Sequence, residues 1–279
     1  DRGVYFTALR PGTNQILRGS TERGSYSPLL SSSLFFSGFV FALTSFFVFS
    51  RASRKPEVIT LAFLLISAAW ALTLAPAAGQ WLWWAAMLEV VSVTAAAVLF
   101  YYFFLTFPGQ RTIRRKLSLY MGVVVLATPV LMLGLWLYTI LVQPSIFPLS
   151  RRLFLGITAA SLTGGILLLL RSYFSAREPV IREQLRIMVV GTVAPVLAFV
   201  VLVLGPLLAG FHAVLNPELT VLGITLFPLS FCYAVMRHQF MGIRRLVHRS
   251  AAYVLLSFAI LILYTLVISA ITAIGGASL

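Results

Sequence analysis

From Pro28 onward the chain alternates long apolar runs with short polar gaps. The runs lie at about 28–50, 58–78, 81–107, 117–142, 152–174, 186–210, 217–236 and 251–273. Each is long enough to cross about 30 Å of hydrocarbon as a helix. The pattern predicts an all-α integral membrane protein, a bundle of about eight transmembrane helices over residues 28–279. Residues 1–27 are the one substantial polar segment. Val4 to Arg10 and Gln15 to Ser20 are β-prone, and Pro11-Gly12-Thr13-Asn14 between them is turn chemistry, so a short β-hairpin is expected ahead of the helices. Two strands alone are marginal in water. The hairpin is therefore read as the end of a larger extracytoplasmic domain, with a disordered leader as the competing reading.

The gaps sort by charge. Arg51, Arg54 and Lys55 fill the first, Arg111, Arg114, Arg115 and Lys116 the third, Arg171, Arg177, Arg182 and Arg186 the fifth, and Arg237, Arg244, Arg245 and Arg249 the seventh. The loops between contain only Arg151 and Arg152. Short loops rich in Lys and Arg stay in the cytoplasm. The densest of them, Phe231 to Tyr253, holds four arginines and no acidic residue, so it orients every other crossing. An even number of crossings then puts both ends of residues 1–279 on the extracytoplasmic side of the plasma membrane. Trp81, Trp83 and Trp84 fall at an outer helix end, where amphipathic rings favour the headgroup layer.

Composition agrees: the chain is 60% hydrophobic and 10% charged, which suits burial in lipid. A net charge of +14 invites nucleic acid as a partner, but the positives occupy alternate gaps instead of one face. The partner they imply is the anionic face of the bilayer. Cys232 is the sole cysteine, within an apolar run, and reads as a small core residue. The chain opens on Asp1 with no charged leader and cleavage site, so an earlier part of the protein is expected and no signal peptide.

Few residues offer chemistry. Glu89 is the one carboxylate well inside an apolar run, with Ser92 and Ala96 beside it at i+3 and i+7. A carboxylate at this depth must face the bundle and be neutral or partnered. It reads either as a polar contact in an outward-facing sensing cavity or as a structural interhelical hydrogen bond. Gly156, Ala160 and Gly164 recur every four residues and predict a close helix–helix seam. Pro129, Pro195 and Pro228 fall inside helices, where Thr128, Thr192 and Thr225 are expected to help satisfy the freed carbonyls. His212 lies in a loop opposite to that of His238 and His248, so the three form no metal site. No catalytic motif or cofactor-binding motif is present.

Three further motifs stand out. Phe104-Leu105-Thr106-Phe107-Pro108 closes one helix. Arg177-Glu178-Pro179-Val180-Ile181-Arg182-Glu183-Gln184-Leu185-Arg186 opens another. Tyr233-Ala234-Val235-Met236-Arg237 leads to Phe240-Met241-Gly242-Ile243, Arg249 and Tyr253. Together they resemble the multi-pass sensor region of bacterial histidine kinases of the quorum-sensing and two-component type. Residues 4–20 are similar to the end of the PDZ-like outer domain that often precedes those helices. Gly242 and Arg244 depart from the acidic residues common in that family. The resemblance implies a non-catalytic sensor module in a homodimeric parent, coupled to a cytoplasmic kinase domain and a response regulator, with an extracellular peptide or small molecule as signal. The competing class is a transporter or channel. That class more often places ionisable groups and broken helices near the midplane in paired halves.

Overall fold

The computed structural model describes residues 4–9, 16–21, 28–51, 56–79, 82–107, 115–176, 178–211, 214 and 217–237. Strands β1 (Val4–Leu9) and β2 (Ile16–Thr21) pair antiparallel, Val4 opposite Thr21 and Leu9 opposite Ile16. Among the described residues the elements from Pro28 onward are helices: α1 (Pro28–Arg51), α2 (Pro56–Gly79), α3 (Trp83–Thr106), α4 (Arg115–Leu141), α5 (Phe147–Ser175), α6 (Pro179–Phe199), α7 (Gly205–Ala209), α8 (Pro217–Ile224) and α9 (Leu226–Arg237).

Six helical spans among the described residues are long and apolar enough to cross a membrane, ending with Ile181–Ala209. This corrects the expected eight. The predicted 217–236 helix is two short helices, α8 and α9, with a break at Thr225. Pro228 explains the break, since it has no N–H to bond the Ile224 carbonyl and its ring crowds that turn. The Thr225 amide turns back to the Leu222 carbonyl at 3.2 Å instead. The eighth run, 251–273, lies outside the described residues.

The sixth span is irregular in its C-terminal half. A π-helical turn, Val200–Leu204, links α6 to α7. Pro206 leaves the Leu202 carbonyl without its helical donor, and the Val214 amide fills the place at 2.9 Å. Gly210 then closes α7 with φ of 86°, a left-handed cap that favours glycine.

Without a hydrophobic force between helices in lipid, association rests on close packing and interhelical hydrogen bonds. Gly38 of α1 lies against Thr73 and the Ala69 carbonyl of α2, and the Ser45 hydroxyl donates to the Ala62 carbonyl at 2.8 Å. Across the α8–α9 break, the Ser37 and Thr225 hydroxyls lie 2.8 Å apart. The predicted seam on α5 is narrower than expected. Gly164 and Gly165 lie under Tyr101 and Phe100 of α3, while Gly156 faces open space and Ala160 is exposed. Positions four apart drift by 40° per step on an α-helix, so Gly156 sits about 80° round from Gly164.

The prolines are also handled differently from expectation. The carbonyls they free belong to Val125, Gly191 and Ile224. Thr128 donates to Val124 and Thr225 to Val221, each one turn back, and the buried Thr192 hydroxyl has no partner among the described residues. Thr128 and Thr225 make the ordinary bond to the carbonyl four residues earlier, and neither reaches the gap.

The core is concentrated at one end of the bundle. Val48, Val58, Phe103, Phe107, Leu169, Leu185 and Phe231 form one buried cluster. They come from the C-terminal ends of α1, α3 and α5, the middle of α9 and the N-terminal halves of α2 and α6, toward the ends that carry Arg51, Arg171, Arg182, Arg186 and Arg237. Large apolar side chains left exposed, such as Phe35 and Phe46 on α1 and Leu126 and Leu131 on α4, are what a lipid solvent requires.

Candidate functional site

An apolar cavity of about 150 Å³ sits above that core. Phe41 and Phe227 line it, with Val93, Ala96 and Phe100 from α3 and Val196 from α6. Its one hydroxyl, on Thr158, already donates to the Phe154 carbonyl at 2.9 Å. Small residues make the space: Ala68, Ala71 and Ala96 leave room that larger side chains would fill.

Glu89 stands on the same face of α3. It precedes Val93 by four residues, Ala96 by seven and Phe100 by eleven, the spacing of one helical stripe. It does not line the cavity itself, but lies one turn, about 6 Å, toward the Trp83 end. It is half-buried and takes part in no hydrogen bond or ion pair among the described residues. Ser92 is half-buried beside it. Trp83 and Trp84 are exposed at the start of the same helix. Trp81 lies outside the described residues. On the third helix Tyr101 is a packing ring, since it rests on Gly164.

A chain of phenylalanines runs from the cavity to the opposite end. Phe227 lies 5.6 Å from Phe100 and 6.1 Å from Phe41, ring centre to ring centre. Phe231 follows it at 4.9 Å and meets Phe103 edge-on at 5.6 Å. Phe103 stacks on Phe107 at 5.3 Å. Edge-to-face and offset pairs of this kind add about 0.5–1.5 kcal/mol each beyond burial. Cavity wall and α9 are thereby one packed unit. Six residues after Phe231, Arg237 ends α9 and opens the basic loop; Arg244, Arg245 and Arg249 lie outside the described residues.

α9 also packs against α6. A Cβ at Gly191 would run into the Ser230 side chain, so only glycine lets the two helices approach this closely. Beside this contact an open groove of about 410 Å³ is lined by Glu183, Arg186, Val190 and Ser230. At the same end Arg182 stands 5.7 Å from the centre of the Tyr173 ring, tying α6 to α5. No cluster of His, Cys, Asp or Glu able to hold a metal occurs among the described residues.

Broken helices, an apolar cavity and a basic, tightly packed end are features of a membrane bundle without a catalytic constellation. The family model for the N-terminal 7TM region of histidine kinase matches residues 33–244. The chain belongs to this family. No curated protein and no solved structure matches it. As a histidine kinase 7TM region it is a multi-pass membrane sensor segment, and the catalytic work of the parent kinase lies elsewhere. The matched residues run from the second turn of α1 through α9, the cavity and Glu89 included.

Sequence reasoning picked out Glu89 but missed its surroundings. The aromatic chain had a visible signal: Phe100, Phe103, Phe104 and Phe107 repeat at three and four residues, as do Phe227 and Phe231. The Gly191–Ser230 contact had none, because the two residues are 39 positions apart.

Proposed function

We propose that this 7TM region receives a signal in the outer half of the bundle, at Glu89 and the cavity beneath it. The signal passes through α9 and the basic loop to the cytoplasmic kinase domain of the parent and its response regulator. The observation that carries this reading is the unbroken run of rings from Phe41 and Phe100 through Phe227 to Phe231. A change in the cavity wall moves the one helix that leads into the loop. In this reading α8 and α9 together make the seventh crossing, and the basic helix ends lie inside. β1 and β2 close a PDZ-like outer domain, and the parent acts as a homodimer that answers an extracellular peptide or small molecule.

Two variants test signal reception. Glu89→Gln keeps shape and hydrogen bonding, so it should leave the melting temperature and the signal response near those of the parent. Glu89→Leu should melt no lower, because an apolar side chain replaces a polar one that is expensive to bury. Its kinase output should no longer follow the signal. The measurement is signal-dependent autophosphorylation of the full-length kinase beside thermal melting in detergent. A stable Glu89→Leu protein that still responds removes Glu89 from the mechanism.

Orientation has its own check. Alkaline phosphatase fused after Gly79 should be active and the same enzyme fused after Ala176 inactive, since the first point lies at the Trp83 end and the second between arginine-bearing helix ends. The opposite activities would turn the whole assignment over.

A further inference from the structure

The cavity and Glu89 together have the chemistry of an amphiphile site. We propose that the bundle binds a small molecule with an apolar body of about six carbons beside Val93, Ala96 and Phe100, and a hydrogen-bond-donating head, hydroxyl or amine, at Glu89. This rests on the reading of that region as the signal-receiving site and adds the class of ligand.

Size comes first. A cavity of about 150 Å³ has the volume that accepts benzene, so a body of about six carbons matches it in size. Wall chemistry excludes polar groups along that body. The Thr158 hydroxyl is already bonded, and every other wall atom that could meet the ligand belongs to alanine, valine, leucine, isoleucine or phenylalanine. A buried polar group there would lose its water with no partner in exchange.

The head is fixed by Glu89. A carboxyl group with no partner among the described residues, one turn from the cavity on the same helical stripe, offers acceptor oxygens to whatever emerges from the apolar space. An alcohol or an ammonium supplies the missing donor. A carboxylate head places an ionised group against apolar walls with no cation among the described lining residues to offset it and is rejected. A lipid acyl chain shares the apolar chemistry but brings no donor to this depth, so it fills the cavity without preference at Glu89.

The test uses four photoreactive alkyl probes of about six carbons. Each carries a diazirine on the chain and ends in an amine, an alcohol, a carboxylate or a methyl group. They are applied to the full chain in lipid nanodiscs. Labelling of α3 between Val93 and Phe100 is read by mass spectrometry, relative to labelling of the lipid-facing turn of α4 around Leu126 and Val130. The amine and alcohol should label the α3 segment at least roughly fivefold more than the methyl probe, the ratio one net hydrogen bond gives. The carboxylate should fall below it. Glu89→Leu should erase the differences between heads while labelling by the methyl probe persists. Glu89→Gln should keep the preference for the alcohol and lower that for the amine. Ala96→Phe fills the cavity and should abolish labelling by all four.

Equal labelling by all four heads in the parent overturns the proposal in favour of a lipid chain. Labelling that survives Ala96→Phe overturns it in favour of the outer surface of the bundle. The sensor reading fails separately: probes that bind with the expected preferences yet leave kinase output unchanged make this a ligand site without a role in signalling.

Discussion

Gly191→Leu is expected to prevent assembly of the bundle. At Gly191 even a single added carbon meets the Ser230 side chain, and the Leu226 carbonyl stands 3.4 Å away on the same side. Neither neighbour is the far end of a flexible chain, so α9 must move away from α6. That motion also draws Phe227 and Phe231 from the core. Overpacking usually costs about 1–3 kcal/mol, and a whole isobutyl group at a helix crossing belongs at or beyond the upper end. We expect little monodisperse protein after extraction in mild detergent. The graded partner is Gly191→Ala, which should fold with a clearly lowered melting temperature. Adding Ser230→Gly to Gly191→Ala opens the space from the other side and should recover most of the loss. A Gly191→Ala protein that melts with the parent would mean that the two helices do not touch there.

Phe227→Ala should separate signal reception from output. Its ring is buried, touches Phe41, Phe100 and Phe231, and forms part of the cavity wall. Truncating a buried phenylalanine costs about 3–5 kcal/mol. In lipid, where apolar transfer contributes little to helix association, the loss should sit near the low end, about 3 kcal/mol. The enlarged cavity also breaks the contact between the wall and α9. The expected protein is less stable and binds ligand in the cavity, but its kinase activity is fixed at one level. Leu222→Ala serves as the control, because Leu222 on α8 is exposed to lipid and outside the ring chain. If Phe227→Ala responds to signal with normal amplitude, the rings do not carry it.

The accuracy of sequence reasoning divided along a physical line. Apolar runs located the first six crossings because lipid forces every backbone group in a span to bond within its own helix, so span length is written locally. The seventh run was legible in length but not as two helices, because Pro228 divides it and a hydropathy count gives no weight to one missing N–H. Glu89 was legible as a cost, a carboxylate where none is cheap. Its place above a cavity was not, since the cavity comes from alanines and phenylalanines on α1, α2, α3, α6 and α9 that only packing brings together. The four-residue ridge on α5 failed in part because a repeat of four is not the period of the helix, so one neighbour can cover Gly164 and leave Gly156 open.

The sequence by itself determined a polytopic membrane bundle, the grouping of its basic residues at alternate helix ends, and its resemblance to histidine kinase sensor regions. The first two depend on composition within a window of some twenty residues, the third on short motifs between Phe104 and Tyr253. The tertiary structure alone decided which end holds the aromatic core, which glycines serve as contacts, and that the rings of Phe41, Phe100, Phe227 and Phe231 meet beneath Glu89's stripe of α3. Those outcomes depend on residues as far apart as 190 positions, from Phe41 to Phe231. Helix packing in lipid is set by shape, and shape between distant segments leaves no periodic trace in the chain.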